Sequence, residues 1–130
     1  MRIFPFRFLL VLATFSSGWE ALSAKESSSP AGEAVSRAIP LIEKSVLAYV
    51  EKRDCFSCHH QALAMMALGR SRDFGLKVAQ DSIATQVKFS LDYFGGRSKL
   101  LLQGKGVPGG PYNAGYALTS LSAAGSLPMK

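Results

Sequence analysis

From Ile39 to Gly125 the apolar residues of this chain recur at three- and four-residue intervals, and no stretch reads convincingly as a strand. That spacing lines up one face of a helix, whereas a half-buried strand needs a period of two. It predicts an all-α domain of about four helices. Ile39, Ile42, Val46, Tyr49 and Val50 form the first face. Proline is tolerated in a first turn and disruptive further in, so Pro40 predicts a regular helix beginning there, with a separate turn before it. The basic residues Lys52 and Arg53 suit its C-terminus. A second helix is expected from Cys55 or Ser57 to about Arg72, built of strong helix formers and stopped near Gly75. A third runs from about Lys77 to Phe94, with Ile83, Val87, Ser90, Leu91 and Phe94 on one face and Gly95-Gly96 as its stop. The last, "YNAGYALTSLSAAG", puts Ala114, Ala117, Leu118, Leu121 and Ala124 on one face and stops at Gly125. The glycine- and proline-rich connection before it contains Leu100 to Leu102, read as a short extended edge, and lacks the residue order of a phosphate-binding loop.

The first residues stand apart from this pattern. "MRIFPFRFLLVLATFSSGWEALSA" carries Arg2 and Arg7, an apolar run from Phe8 to Phe15, and small residues at Ala21, Ser23 and Ala24. These are the parts of an export signal, and the run is too short to span a bilayer. The expected organisation is a signal over residues 1–23, a Ser-rich linker over 24–32 and a helical domain over 33–130. The product is then periplasmic or secreted, with no transmembrane segment after signal cleavage.

Without residues 1–23 the chain keeps thirteen basic and eight acidic residues, a net charge of +5. Such a balance is compatible with an acidic protein or an anionic membrane surface as a partner, but with the charges scattered the expectation is an ordinary solvated surface. The basic residues are scattered along the sequence and no aromatic residues alternate with them, so nucleic acid is not expected. A domain of this size buries roughly two-thirds of the surface of its unfolded chain. Because alanine, serine and glycine dominate the last helix, its share of the core is thin, and a large prosthetic group or self-association would add stability.

The chemistry concentrates in "DCFSCHHQ", Asp54 to Gln61, which holds the chain's two cysteines and two histidines. In a CxxCH pattern each thiol adds to one haem vinyl group, and the histidine after the second cysteine ligates the iron. On a helical turn residues i, i+3 and i+4 share a face, which would bring Cys55, Cys58 and His59 to one macrocycle. Three other readings use the same residues. Cys55, Cys58, His59 and His60 have the ligand types of a zinc site, although adjacent His59 and His60 diverge on a helix. Cys55 and Cys58 suit a disulfide in an oxidising compartment. A Cys/His nucleophile pair would need a third, orienting group that the sequence does not offer. As sixth iron ligand, Met65 and Met66 lie too far along the helix that carries His59 and suit core packing. Met129, in "SLPMK", has enough intervening chain to fold back.

"LIEKSVLAYVEKRDCFSCHH" resembles the opening of small c-type cytochromes, in which an N-terminal helix runs into CxxCH. The resemblance covers about twenty residues. "CFSCHHQALAMMALGRSRDFG" and "GGPYNAGYALTSLSAAG" resemble the first repeats of bacterial proteins related to the squalene cyclase and prenyltransferase α/α-toroid superfamily, some of which carry a CxxCHHQ segment. This second resemblance implies helical hairpins too few to close a ring. It does not import cyclase chemistry, because Asp73, Asp81 and Asp92 are isolated and cannot work as a paired acid.

The sequence thus leads to an exported, non-enzymatic protein carrying covalent haem c on Cys55 and Cys58. His59 is its axial ligand and Met129 a candidate sixth ligand, in electron transfer or redox sensing with a redox partner protein. The alternative is a non-catalytic helical interaction module, a toroid fragment with a Cys55/Cys58 disulfide.

Overall fold

The computed structural model describes residues 29–127 of the 130-residue chain. The expected export signal, most of the expected linker and Met129 lie outside the described residues. Five α-helices follow one another: α1 (Pro30–Lys52), α2 (Leu63–Asp73), α3 (Gln80–Gly95), α4 (Ser98–Leu102) and α5 (Gly110–Ala123). A wide turn, Cys58–Ala62, leads into α2. Among the described residues there is no strand, and the fold is all-α.

α1 starts ten residues before Pro40, which corrects both the expected turn and the expected extent of the linker. The cause is a strong N-terminus. Ser29 Oγ accepts the Gly32 N–H at 3.0 Å, and Pro30 occupies the first helical position, where its missing N–H costs nothing. Pro40 and Ser36, whose carbonyl the proline leaves without its usual helical donor, both lie on the exposed side of α1. Water can satisfy that carbonyl, so the helix runs on.

Four helices share one core. Ile39 and Val46 of α1, Met65 and Leu68 of α2, Ile83 of α3 and Leu121 of α5, with Ala124 just beyond it, form a contiguous buried cluster. Met65 is fully buried here, as its expected packing role requires. α1 packs against α3, and α2 against α5. The small residues that made α5 look thin let it approach closely: a Cβ on Gly69 of α2 would run into the Ala123 carbonyl. Arg72 closes the same contact, donating to the Ala124 carbonyl at 3.2 Å and the Ala123 carbonyl at 3.4 Å, where helix-end carbonyls lack partners.

Two helix faces differ from the expected ones. Leu91 and Leu118 are exposed; Ser90 is fully buried, as its place on the expected face requires, and Gln86 and Ser120 are fully buried as well. Burying a polar group is tolerable when its hydrogen bonds are made. Ser90 Oγ donates to the Gln86 carbonyl at 2.8 Å and Ser120 Oγ to the Ala117 carbonyl at 2.9 Å. The run Leu100–Leu102 is also corrected: it is helical, forms the end of α4 and buries none of its residues.

Candidate functional site

α1 ends at Lys52, and Arg53 turns extended while its N–H still reaches the Tyr49 carbonyl. The next residues are non-helical until Cys58. This corrects the expectation that Cys55, Cys58 and His59 occupy one helical turn: Cys55 precedes the turn and Cys58 opens it. The reason is local. Phe56, between the two cysteines, is buried against Phe94 and Tyr93, with ring centroids 5.1 and 6.1 Å away. Helical geometry through Cys55 gives way to the burial of that ring, because an aromatic side chain removes a large apolar surface from water.

Ser57 then caps the turn. Its Oγ accepts the His60 N–H at 3.2 Å, while the Gln61 side chain reaches back and accepts the Ser57 N–H at 2.8 Å. This is a capping box with its glutamine one residue later than usual. The extra residue fits because the turn is wide: Ala62 N–H bonds the Ser57 carbonyl and Leu63 N–H the Cys58 carbonyl, both spanning five residues. Gln61 is fully buried, and its amide donates to Gln86 Oε1 at 3.4 Å. Gln86 donates in turn to the Val46 carbonyl at 3.0 Å. A chain of buried amides therefore ties the turn to α3 and α1.

The reactive groups stand outside this anchor. Cys55, His59 and His60 are exposed, Cys58 is half-buried, and both thiols are free. Cys58 Sγ lies 3.4 Å from His59 Nδ1. The adjacent imidazoles do not diverge as on a regular helix; their centroids are 4.7 Å apart. Tyr49 reaches over from α1. Its hydroxyl donates to the Cys55 carbonyl at 3.2 Å and lies 3.4 Å from Cys55 Sγ, while its ring stacks on His60 at 5.1 Å. Partial burial, then the hydrogen bond and charge of the Cys55 thiol, push the Tyr49 phenol above its usual value. It therefore remains a protonated donor at neutral pH.

Sequence reasoning found Cys55, Cys58 and His59, which the structure gathers around one short segment. It missed the supporting residues Tyr49, Phe56, Gln61 and Gln86. The serine-to-glutamine spacing of Ser57 and Gln61 was a readable trace of the cap. Met66, half-buried, lines a cavity with Pro111, Tyr112 and Tyr116, away from the cysteines. Among the described residues no three His, Cys, Asp or Glu side chains converge on a point able to hold a metal ion. Two of the isolated aspartates have local partners: Asp73 pairs with Arg70 and Arg72, and Asp92 with Lys88 at 2.6 Å.

The donor chemistry of the segment fits covalent haem. The two unbridged thiols, three residues apart, belong to an exposed Cys55 and a half-buried Cys58, and an exposed imidazole directly follows the second. Comparison of the chain with protein-family models, with curated proteins and with solved structures finds no match.

Proposed function

We propose that this protein is an exported c-type haem protein that transfers single electrons or senses redox state. The observation that carries the reading is the pairing of accessibility with anchoring: Cys55 and His59 are exposed and Cys58 is half-buried on a segment held by buried Phe56 and Gln61. In this reading Cys55 and Cys58 would hold the group through thioethers, each S–H adding across one vinyl group, and His59 would be the residue that ligates its iron. Bound haem would supply a one-electron couple. Tyr49 fixes the backbone at Cys55 and the ring of His60, and the capping box fixes the turn that starts at Cys58. Because Cys55 and His59 are exposed, a partner protein could approach the segment directly. Met129 remains the proposed sixth ligand.

The test is intact mass after denaturation, read beside the reduced visible spectrum, on protein exported from a host with active c-type haem maturation. Haem mass retained on the chain, with sharp reduced bands that vanish in Cys55→Ala and Cys58→Ala variants, supports the proposal. A bare chain from such a host refutes it.

One observation favours the second reading, a helical module of α/α-toroid type. Among the four long helices the first pairs with the third, α1 with α3, and the second with the fourth, α2 with α5, a two-layer arrangement of the kind helical repeats use. In that case Cys55 and Cys58 close a disulfide, and the chain from an oxidising compartment weighs two hydrogens less than its reduced form.

A further inference from the structure

Between Tyr93 and Val107, both buried, none of residues 94–106 is buried. The segment "FGGRSKLLLQGKG" leaves the body at the end of α3, forms α4 and returns at Val107. The return is fixed by Asn113, whose amide donates to the Pro108 carbonyl at 2.8 Å. The result is a spur with two firm roots and an exposed tip. At the tip Leu100, Leu101 and Leu102 are exposed by 43%, 41% and 88%. An apolar cluster held out in water in this way marks an interaction site.

Its charge identifies the occupant. Residues 93–130 contain no Asp or Glu, and Arg97, Lys99 and Lys105 flank the leucines. The nearest preceding carboxylate, Asp92, is paired with Lys88. Arg97 lies over the Tyr93 ring at 3.7 Å and donates to the Tyr93 carbonyl, which holds its charge at the root of the spur. Lys99 and Lys105 are exposed and belong to no ion pair among the described residues.

Geometry distinguishes a bilayer from a protein groove. Three consecutive helical residues point in directions about 100° apart, so Leu100, Leu101 and Leu102 cannot all face one flat partner. Acyl chains surround an inserted tip on every side. Basic residues at its base then meet lipid phosphates, an arrangement in which long cationic side chains keep their heads in the interface. We propose that the 94–106 spur is a membrane-docking device that inserts Leu100–Leu102 into the surface of an anionic lipid bilayer. This inference is independent of haem attachment.

The test places a probe on the spur itself. Trp19 is the one tryptophan of the chain. In the full-length chain carrying Trp19→Phe and Leu102→Trp, the introduced indole is the sole reporter, whatever the apolar run 8–15 does. With vesicles of equal parts phosphatidylglycerol and phosphatidylcholine, the indole emission should shift to the blue and be quenched by brominated acyl chains. Adding Lys99→Glu and Lys105→Glu should weaken the effect at least about tenfold. Circular dichroism should be unchanged throughout, because every altered spur residue is exposed. An indole that stays in water while the chain co-sediments with these vesicles overturns the proposal. So does an equal response on pure phosphatidylcholine. A shift produced by polyglutamate alone would assign an acidic protein surface instead, and a concentration-dependent shift without lipid a second copy of this chain.

Discussion

Two exposed segments of this molecule, the cysteine turn and the 94–106 spur, are built in opposite ways. The turn shows polar and reactive groups to solvent and sends Phe56 and Gln61 into the core. The spur shows leucines to solvent, and beyond Phe94 at its base, which packs on Phe56, it sends no side chain into the core; its roots, Tyr93 and Val107, are buried. Exposure alone therefore says little about how firmly a segment is held. Chemistry that depends on fixed geometry needs the first kind of construction, and adaptable adhesion suits the second.

The largest expected effect lies at the turn. Phe56→Ala removes the ring packed on Phe94 and Tyr93 and should lower unfolding stability by about 3–5 kcal/mol, read by chemical denaturation. Gln61→Leu keeps the volume but strips a partner from the Ser57 N–H and from Gln86. A loss of about 1–3 kcal/mol is expected. Should it prove neutral, the buried amide chain does not hold the turn.

Tyr49→Phe sharpens the comparison further. Losing the bond to the Cys55 carbonyl should cost about 0.5–1.5 kcal/mol and raise the proteolytic sensitivity of the turn relative to the spur. It also carries a pH signature. The folded state holds the phenolic proton more tightly than the unfolded chain does, where its pKa is near 10.0. The associated stability is complete below that value and is lost as pH rises through the higher folded value. Tyr49→Phe should remove this part of the alkaline loss. At the other extreme, Leu102→Ser on the spur should change stability by no more than about 0.5 kcal/mol. A larger drop would mean that the spur is packed like the turn.

Much of this was legible in the sequence, for identifiable reasons. Glycine stops and the three- and four-residue spacing locate the main helices, because both are local properties of the backbone. Leu100–Leu102 misled, since three apolar residues in a row have no period and fit a strand or a short helix equally. Leu91 and Leu118 misled as well: hydrophobicity alone cannot foresee that Gln86 and Ser120 will take buried positions. Their burial rests on bonds made after folding. Cys55, Cys58 and His59 are visible as a compact motif. The residues that support them are not, because Gln86 contacts Gln61 from 25 residues away and Val46 from 40. Tyr49 reads as one more apolar position of α1, although its ring and hydroxyl serve His60 and Cys55.

The central claim is that Cys55 and Cys58 carry a covalent group beside His59. Trypsin cleaves after Arg53 and Arg70, so one peptide, "DCFSCHHQALAMMALGR", contains both cysteines and both histidines. The most direct measurement is the mass and fragmentation of that peptide from protein matured in a c-type host. The account predicts haem mass retained on it and fragments that place the addition on both cysteines. The same peptide with two free thiols, or two hydrogens lighter with a closed disulfide, would contradict it.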